Sequence, residues 1–225
     1  MIIAIDGPSG AGKSTVAKAV AKTLGFSCLD TGAMYRSIAW QALHDGVDLA
    51  DEASLGEIAR TKEITFGHVM GDPLPKRVAI DGHDVTDAIR TAQIDKAVSP
   101  VSSVPSVRAA LVAQQQRIGA RGDYVVEGRD IGTVVFPCAE VKVFLTASNE
   151  ERAHRRVRQN VDRGVGSIDY DEVLADIRRR DDHDSGRVTS PLCAAEDAVI
   201  IDSTDNYIEE IITMICALAD EKRNG

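Results

Sequence analysis

Short apolar runs alternate with longer amphipathic stretches along most of the chain. Five runs are rich in Ile, Val, Leu or Ala and end at a polar residue or turn: 1–6, 26–30, 123–127, 141–145 and 198–202. Such runs are typical of parallel strands that are buried on both faces. Apolar residues recur at helical spacing between them, most clearly in 13–24, 33–44, 105–119, 149–162, 169–182 and 207–222. The alternation predicts an α/β fold in which helices flank a five-stranded parallel sheet.

One stretch departs from this alternation. Between residues 62 and 91, short alternating runs surround a Gly/Pro-containing break at 71–75 and the pair Asp81-Gly82. An Asp-Gly pair between two extended runs favours a tight hairpin turn. We therefore predict a small antiparallel sheet at about residues 62–91, inserted into a single domain that spans residues 1–225.

A glycine-rich loop follows the first predicted strand and opens the first predicted helix. Residues 7–14 read Gly-Pro-Ser-Gly-Ala-Gly-Lys-Ser, which is the Walker A pattern in its strand-loop-helix context. The loop's N–H groups and the helix N-terminus can surround phosphate oxygens, Lys13 can reach the β- and γ-phosphates, and the Ser14 hydroxyl suits Mg²⁺. A glycine-rich turn without a ligand is the alternative. We predict that a nucleoside triphosphate binds Gly7, Pro8, Ser9, Gly10, Ala11, Gly12, Lys13, Ser14 and Thr15, with Ser14 as the metal ligand.

The composition limits the partners of this site. The chain has 225 residues and a formal net charge of −9, whereas binding to nucleic acid polymers or anionic membranes normally uses a basic face. No apolar run approaches the length of a membrane span, and the first strand follows directly from Met1 without a basic leader. We expect a cytoplasmic monomer that acts on small molecules. The four cysteines lack metal-site spacing and are expected to be reduced: Cys28, Cys138, Cys193 and Cys216.

Arginines accumulate near the predicted ends of strands and in loops: Arg36, Arg108, Arg129, Arg180 and Arg187. Any one of them could be a solvated charge or a surface ion pair. Together, in an acidic chain, they suggest a second anionic group beside the triphosphate, because a guanidinium binds phosphate oxygens in pairs. Ligands of open parallel sheets bind beyond the carboxyl ends of the strands, so we expect residues 6–7, 30–31 and 127–130 to meet at one cleft.

Five segments resemble the bacterial cytidylate kinase family, in the family's order along the chain: 7–14, 29–36, 127–137, 150–156 and 180–187. The most family-specific is 127–137, Glu-Gly-Arg-Asp-Ile-Gly-Thr-Val-Val-Phe-Pro, although Glu127 stands where Asp is common. The resemblance covers almost the whole chain and includes the inserted sheet of the longer bacterial type. It implies a P-loop kinase that transfers the γ-phosphoryl group of ATP, bound with Mg²⁺, to CMP or dCMP.

The resemblance also implies which residues form the two nucleotide sites. Besides the glycine-rich loop, ATP would contact Arg152 and Arg156. The acceptor region would span about 31–102, and the CMP-binding residues would be Thr31, Arg36, Ser99, Arg108, Arg129, Asp130, Arg180, Asp184 and Arg187. Lys13, Arg129 and Arg180 would stabilise charge on the transferring group. A carboxylate with hydroxyl and guanidinium donors complements the N4 amino group and the N3 and O2 acceptors of cytosine, which Asp130, Ser99 and Arg108 could supply.

A mobile lid is expected at residues 152–167. Arg152 and Arg156 share one helical face there, and the turn Gly164-Val165-Gly166 follows. An exposed basic helix is the alternative.

Three other functions compete with this interpretation. A P-loop kinase for another nucleoside monophosphate, a sugar or a small acid would keep the loop and some arginines, without needing the cytosine-complementary set. A GTP-dependent switch would need an Asn-Lys-x-Asp sequence, which the chain lacks. A scaffold role would leave the arginines without a substrate.

Overall fold

The computed structural model describes residues 1–69 and 72–224 and divides into two compact units. The first unit combines Met1–Cys28 with Asp123–Gly225, and the second is the continuous segment Leu29–Gly122. Gly71, part of the predicted break at 71–75, lies outside the described residues.

A five-stranded parallel sheet has the order β2-β6-β1-β7-β8 and confirms the predicted fold class. Its strands are β1 (Ile2–Asp6), β2 (Ser27–Asp30), β6 (Tyr124–Glu127), β7 (Val141–Thr146) and β8 (Val199–Asp202). The central strand β1 pairs in parallel on both sides, with Ala4 opposite Val126 and Lys142. Ile3, Ala4 and Ile5 are fully buried, as a strand covered on both faces requires.

Four helices belong to the first unit: α1 (Lys13–Leu24), α6 (Asn149–Arg163), α7 (Tyr170–Ser185) and α8 (Ile208–Asn224). Their bounds lie within three residues of the predicted ones. Helix α1 buries Val16, Ala17, Val20 and Ala21 on one face and ends at Gly25, whose φ of 71° is the left-handed conformation common after helices. Among the described residues, no helix has both the length and the apolar character needed to cross a bilayer.

The second unit contains α2 (Thr31–His44), α3 (Glu52–Thr61), α4 (Ala92–Ser103) and α5 (Pro105–Gly119), together with β3 (Ile64–His68), β4 (Pro75–Ile80) and β5 (His83–Asp84). The three strands form an antiparallel sheet in the order β3-β4-β5, which confirms the predicted insert. Asp81 and Gly82 turn the chain between β4 and β5 with φ values of 46° and 80°, the left-handed values that favour Asp-Gly at a hairpin.

Two neighbouring glutamines of α5 have different surroundings. Gln114 is buried, its Nε2 donates to the carbonyl oxygens of Ala59 and Lys62, and its Oε1 accepts from the N–H of Ile64. Gln114 therefore joins α5 to the junction between α3 and β3. Gln115 is also buried, yet within the described part of the chain neither side-chain amide atom has a hydrogen-bond partner.

Candidate functional site

The glycine-rich loop has a backbone shape that side chains would prevent. A Cβ on Gly7, whose φ is 143°, would lie 1.9 Å from the carbonyl oxygen of Leu145 on β7. Gly12 precedes α1 with a φ of 92°, and no described side chain caps the start of the helix. The first N–H groups of α1 therefore point toward a position suited to an anion.

Three carbonyl groups of the loop are each held by a side chain of the first unit. The donor-acceptor pairs are Lys13 Nζ to Pro8 O at 2.7 Å, Arg152 Nη1 to Ser9 O at 2.9 Å, and Ser203 Oγ to Ala11 O at 3.0 Å. Because the peptide is planar and trans, holding a carbonyl group also fixes the following N–H in the opposite direction. The loop is thus preorganised for its phosphate-binding N–H groups.

Arg152, which the sequence analysis assigns to ATP, is only 2% exposed. Besides Ser9, its guanidinium donates to the carbonyl oxygen of Ala147 at 3.1 Å and forms an ion pair with Asp181 on α7. In this structure it supports the loop, and its contact with ATP stays a prediction. Arg156 is partly exposed and donates to Gln159 Oε1 at 3.3 Å.

Most of the predicted lid lies in α6 and in the turn that follows it. Gly164 ends the helix with a φ of 63°, and the Asn160 side chain donates to the carbonyl oxygen of Ser167. Ala153 on α6 packs with Val173 and Ile177 on α7 in a small apolar cluster. Movement of residues 152–167 stays a prediction.

The three cations predicted to be catalytic act on one another electrostatically. Burial lowers the pKa of Lys13 well below its ordinary value, and repulsion from Arg129 and Arg180 adds to this shift, against the attraction of Glu127 and Asp6. A buried lysine repelled by two partly exposed arginines is stabilised by a polyanion such as a row of phosphates.

Asp184 on α7 orients two of the predicted arginines. Its Oδ2 accepts from Arg129 Nε at 3.0 Å, and its Oδ1 accepts from Arg187 Nη2 at 2.5 Å. Burial would raise the pKa of this carboxyl, but the charges of Arg129, Arg187 and Arg180 outweigh burial and lower it. Asp184 is therefore an ionised anchor at neutral pH.

Ser14 and Glu127 form a pair suited to a cation bound with phosphate. Ser14 Oγ donates to Glu127 Oε2 at 2.7 Å, so the lone pairs of the hydroxyl oxygen can face a metal ion. Among residues 1–69 and 72–224, no group of three or more His, Cys, Asp or Glu side chains is placed to hold a metal. Mg²⁺ commonly takes one or two protein oxygen ligands together with water and substrate phosphates, and the Ser14 hydroxyl beside Glu127 offers such oxygens.

Asp130, in the first unit, is buried. The other four predicted residues belong to the second unit, where α2 presents two of them. Thr31, the first residue of α2, is buried, and Arg36 forms an ion pair with Asp95 on α4. Asp30 caps α2 by accepting from the N–H of Ala33, and its other oxygen pairs with Arg90 at 2.9 Å. Burial would raise the pKa of Asp30, yet the Arg90 guanidinium reverses this effect and lowers it.

Arg108 on α5 is 4% exposed and lies over the ring of Tyr35, with its guanidinium carbon 5.4 Å from the ring centroid. It also donates to the carbonyl oxygen of Ser102 at 3.1 Å. Ser99 is half-buried on α4, one residue before Pro100, and its carbonyl oxygen accepts from the Ser102 hydroxyl. The second unit thus holds Arg36 by a carboxylate and Arg108 by an aromatic ring and a carbonyl group.

A cavity of about 270 Å³ adjoins the glycine-rich loop within the first unit. It is lined by Ala11, Gly12, Thr15, Val16, Arg155, Ser203, Asn206, Ile208 and Ile211. Arg155 donates to both the hydroxyl and the carbonyl oxygen of Ser203, at 3.0 and 2.6 Å. The cavity therefore combines an apolar side from α1 and α8 with a fixed guanidinium.

Arg155 and Ser203 were absent from the predictions, whereas Asp6 and Glu127 were expected at the cleft but not among the binding or catalytic residues. Asp6 and Glu127 carry a visible signal, since each is an acidic residue at the end of an apolar strand. Arg155 lies between His154 and Arg156 in a basic helix, and nothing in the sequence distinguishes it from these neighbours. Ser203 is recognisable only through its contact with a loop 192 positions earlier.

Comparisons with known proteins give the family of the chain. A family model described as cytidylate kinase matches residues 3–221. A cytidylate kinase from Caldanaerobacter subterraneus subsp. tengcongensis is 48% identical over 213 residues, covering 95% of this chain and 92% of that protein. A cytidylate kinase from Enterococcus faecalis is 48% identical over 220 residues, covering 98% and 96%.

Among solved structures, an uncharacterised protein from Eubacterium ventriosum has a TM-score of 0.50 at 13% identity and covers 98% of both chains, which shows a shared fold alone. The family match instead spans both the glycine-rich loop and the Gly-Arg-Asp run at 128–130. The chain belongs to the cytidylate kinase family.

Proposed function

We propose that the protein transfers the γ-phosphoryl group of ATP to CMP and dCMP, giving ADP and CDP or dCDP. The observation that carries the proposal is a Walker loop whose Lys13 is repelled by the charges of Arg129 and Arg180. Phosphoryl transfer has a loose transition state with charge spread over the moving oxygens. Positioning and positive charge therefore supply most of the catalysis, and no dedicated general base is required.

ATP binds with its phosphates on the loop at residues 7–15 and its base in the adjoining cavity. Val16, Ile208 and Ile211 offer apolar surface to the base, and Arg155 and Asn206 offer polar groups to its edge. Lys13 exchanges the Pro8 carbonyl for a phosphate oxygen, because an anion is the stronger partner for an ammonium group.

The Ser14 hydroxyl would hold Mg²⁺, and its hydrogen bond to Glu127 orients the hydroxyl for this role. When bound, the ion neutralises charge on the β- and γ-phosphates. The protein's own part is to present one hydroxyl and to leave the other positions to phosphate and water.

CMP is recognised through its base, sugar and phosphate. Asp130 accepts from the N4 amino group of cytosine, while Ser99 and Arg108 donate to N3 and O2. Arg36, Arg129 and Arg180 bind the phosphate, and Asp184 accepts from a sugar hydroxyl. Thr31 and Arg187 provide further acceptor-side contacts. A buried carboxylate aimed at N4 disfavours uracil, which presents a carbonyl oxygen there.

Water must be kept from the γ-phosphate, or ATP would be hydrolysed. We assign this closure to residues 152–167 on the ATP side and to the inserted sheet at 62–91 on the acceptor side. We also propose that the protein works as a cytoplasmic monomer, which light scattering during gel filtration would test.

A coupled assay with ATP and Mg²⁺ tests the function by offering CMP, dCMP, UMP, AMP and GMP in turn. We expect kcat/KM for CMP and dCMP to exceed that for UMP by at least about tenfold, with both purines poorer still. Asp130→Ala should erode the CMP advantage without changing KM for ATP. A higher kcat/KM for UMP or AMP would overturn the assignment of CMP, and turnover with none of the five would favour a small acid as acceptor.

A further inference from the structure

Asp6 ends β1 immediately before the glycine-rich loop, and its carboxylate is 5% exposed. Each carboxylate oxygen accepts one backbone N–H of a distant segment, Oδ1 from Ile131 at 2.8 Å and Oδ2 from Gly132 at 2.7 Å. The carboxylate therefore bridges the first strand and the start of the π-helical turn at Ile131–Val135.

This turn begins at Asp130, whose carbonyl oxygen accepts from the N–H groups of Val134 and Val135 at 2.9 and 3.1 Å. On the other side of Asp130, the Gly128 N–H donates to the carbonyl oxygen of Ile5 at 3.0 Å. The segment that carries Arg129 and Asp130 is thus fixed at both ends by adjacent residues of β1.

The space around the turn leaves it little freedom to shift. A Cβ on Gly132 would lie 3.1 Å from Lys142 Cδ and 3.5 Å from Asp6 Oδ2. Gly132 is therefore enclosed between the Asp6 carboxylate and the aliphatic part of Lys142. An ionised carboxylate buried at this place is costly, since burial raises the pKa of Asp6 to about 6.

We propose that Asp6 is a positioning residue for the acceptor nucleotide: by holding the N–H groups of Ile131 and Gly132, it sets the direction in which Asp130 and Arg129 present their side chains. The inference rests on the proposed acceptor role of Asp130. It assigns to Asp6 a larger effect on CMP recognition than on ATP binding, although the Asp6 carboxylate also attracts Lys13 of the ATP loop.

Asp6→Asn tests the proposal, because an amide offers one acceptor oxygen and turns an NH₂ group toward the second N–H. We expect KM for CMP to rise at least about tenfold and the CMP-to-UMP ratio of kcat/KM to fall as in Asp130→Ala, while KM for ATP changes less than about twofold. Asp169→Asn is the matched control, since Asp169 also accepts a backbone N–H, from Glu172 at 2.9 Å. It should leave both KM values and the ratio unchanged.

The outcomes separate the inference from the proposed function. If the unaltered protein does not prefer CMP, the proposed function fails before Asp6 is tested. The inference is wrong if the unaltered protein prefers CMP and Asp6→Asn keeps that preference. It is also wrong if Asp6→Asn changes KM for CMP and KM for ATP equally, because Asp6 would then be a structural cap.

Gly132→Ala decides the case if Asp6→Asn does not fold. The added methyl group keeps the Asp6 charge and would lie 3.1 Å from Lys142 Cδ, so the turn or the Lys142 side chain must shift by a few tenths of an ångström. We expect a weaker loss of CMP preference in the same direction, and an unchanged preference would overturn the proposal.

Discussion

Gln114 and Gln115 allow one substitution to be compared at two adjacent buried sites. The Gln114 amide serves three backbone groups, at 3.2 Å (Ala59 O), 2.9 Å (Lys62 O) and 3.3 Å (Ile64 N). Gln114→Leu leaves these three backbone groups without their side-chain partner, in a region that water reaches poorly. A buried polar group left without a partner costs about 1–3 kcal/mol, and neighbours relax in part, so we expect the free energy of unfolding to fall by about 3 kcal/mol.

Gln115→Leu should act in the opposite direction. Gln115 is 1% exposed, and neither amide atom has a hydrogen-bond partner in the described part of the chain. A leucine of similar volume removes the desolvation cost of the amide without breaking a hydrogen bond. We expect a gain of about 1 kcal/mol, so the two variants should differ by about 4 kcal/mol.

Urea unfolding followed by tryptophan fluorescence is the suitable assay. Trp40, the only tryptophan of the chain, lies in α2 and therefore reports on the second unit, which contains both glutamines. With a urea dependence of about 2–3 kcal/mol per molar, the midpoints of the two variants should lie about 1.5 M apart. Equal destabilisation by both substitutions would refute the reasoning, since burial alone and not hydrogen bonding would then set the effect.

Three further predictions concern catalysis, motion and pH. Lys13→Ala should fold normally and lower kcat about 10²- to 10⁴-fold, because the lysine charge is needed most in the transition state; near-normal turnover of the folded variant would contradict the mechanism. Amide hydrogen exchange should slow in residues 62–91 when CMP alone binds, and in residues 152–167 mainly when ATP or a bisubstrate analogue binds. Equal protection of both segments with and without nucleotide would show that other parts of the protein close the site. Burial raises the pKa of Asp6 from 3.8 to about 6, so the folded protein holds this proton more tightly than the unfolded chain and loses stability as the pH rises between these values. The difference in the free energy of unfolding between the unaltered protein and Asp6→Asn should therefore fall by about 3 kcal/mol from pH 3 to pH 7 in denaturant titrations. A constant difference would show that Asp6 does not titrate in this range.

The five strands were predictable because each contains a short apolar run that ends at a polar residue, a pattern typical of strands covered on both faces. Helices α3 and α4 were not predicted, and each contains a residue that normally interrupts helices. Gly56 lies inside α3, where a Cβ would approach the Ser106 Oγ to 2.4 Å, and Pro100 lies inside α4. In α3 the glycine permits close packing against α5, a tertiary reason that a local pattern does not reveal.

The candidate site was predictable where a motif specifies the backbone, as in residues 7–14. It was less predictable where a side chain acts through distant partners. Arg152 shares a basic helix face with other arginines, and its burial depends on Asp181 and on the Ser9 carbonyl, 29 and 143 positions away. The contact of Asp6 with residues 131 and 132 spans about as much chain, and a sequence pattern does not show which strand end meets which turn.

The second unit is inserted between β1 and both of its partner strands, and this order has a consequence for synthesis on the ribosome. The neighbours of β1 begin only at Tyr124 and Val141, so the first strand emerges long before anything can pair with it. At about 5–20 residues per second, that delay is on the order of ten seconds. During this interval the newly made Ile2–Ile5 run has no partner strands in its own chain. The nucleotide loop that follows it can take its binding shape only after the later strands are made, so ATP can stabilise this protein only near the end of translation.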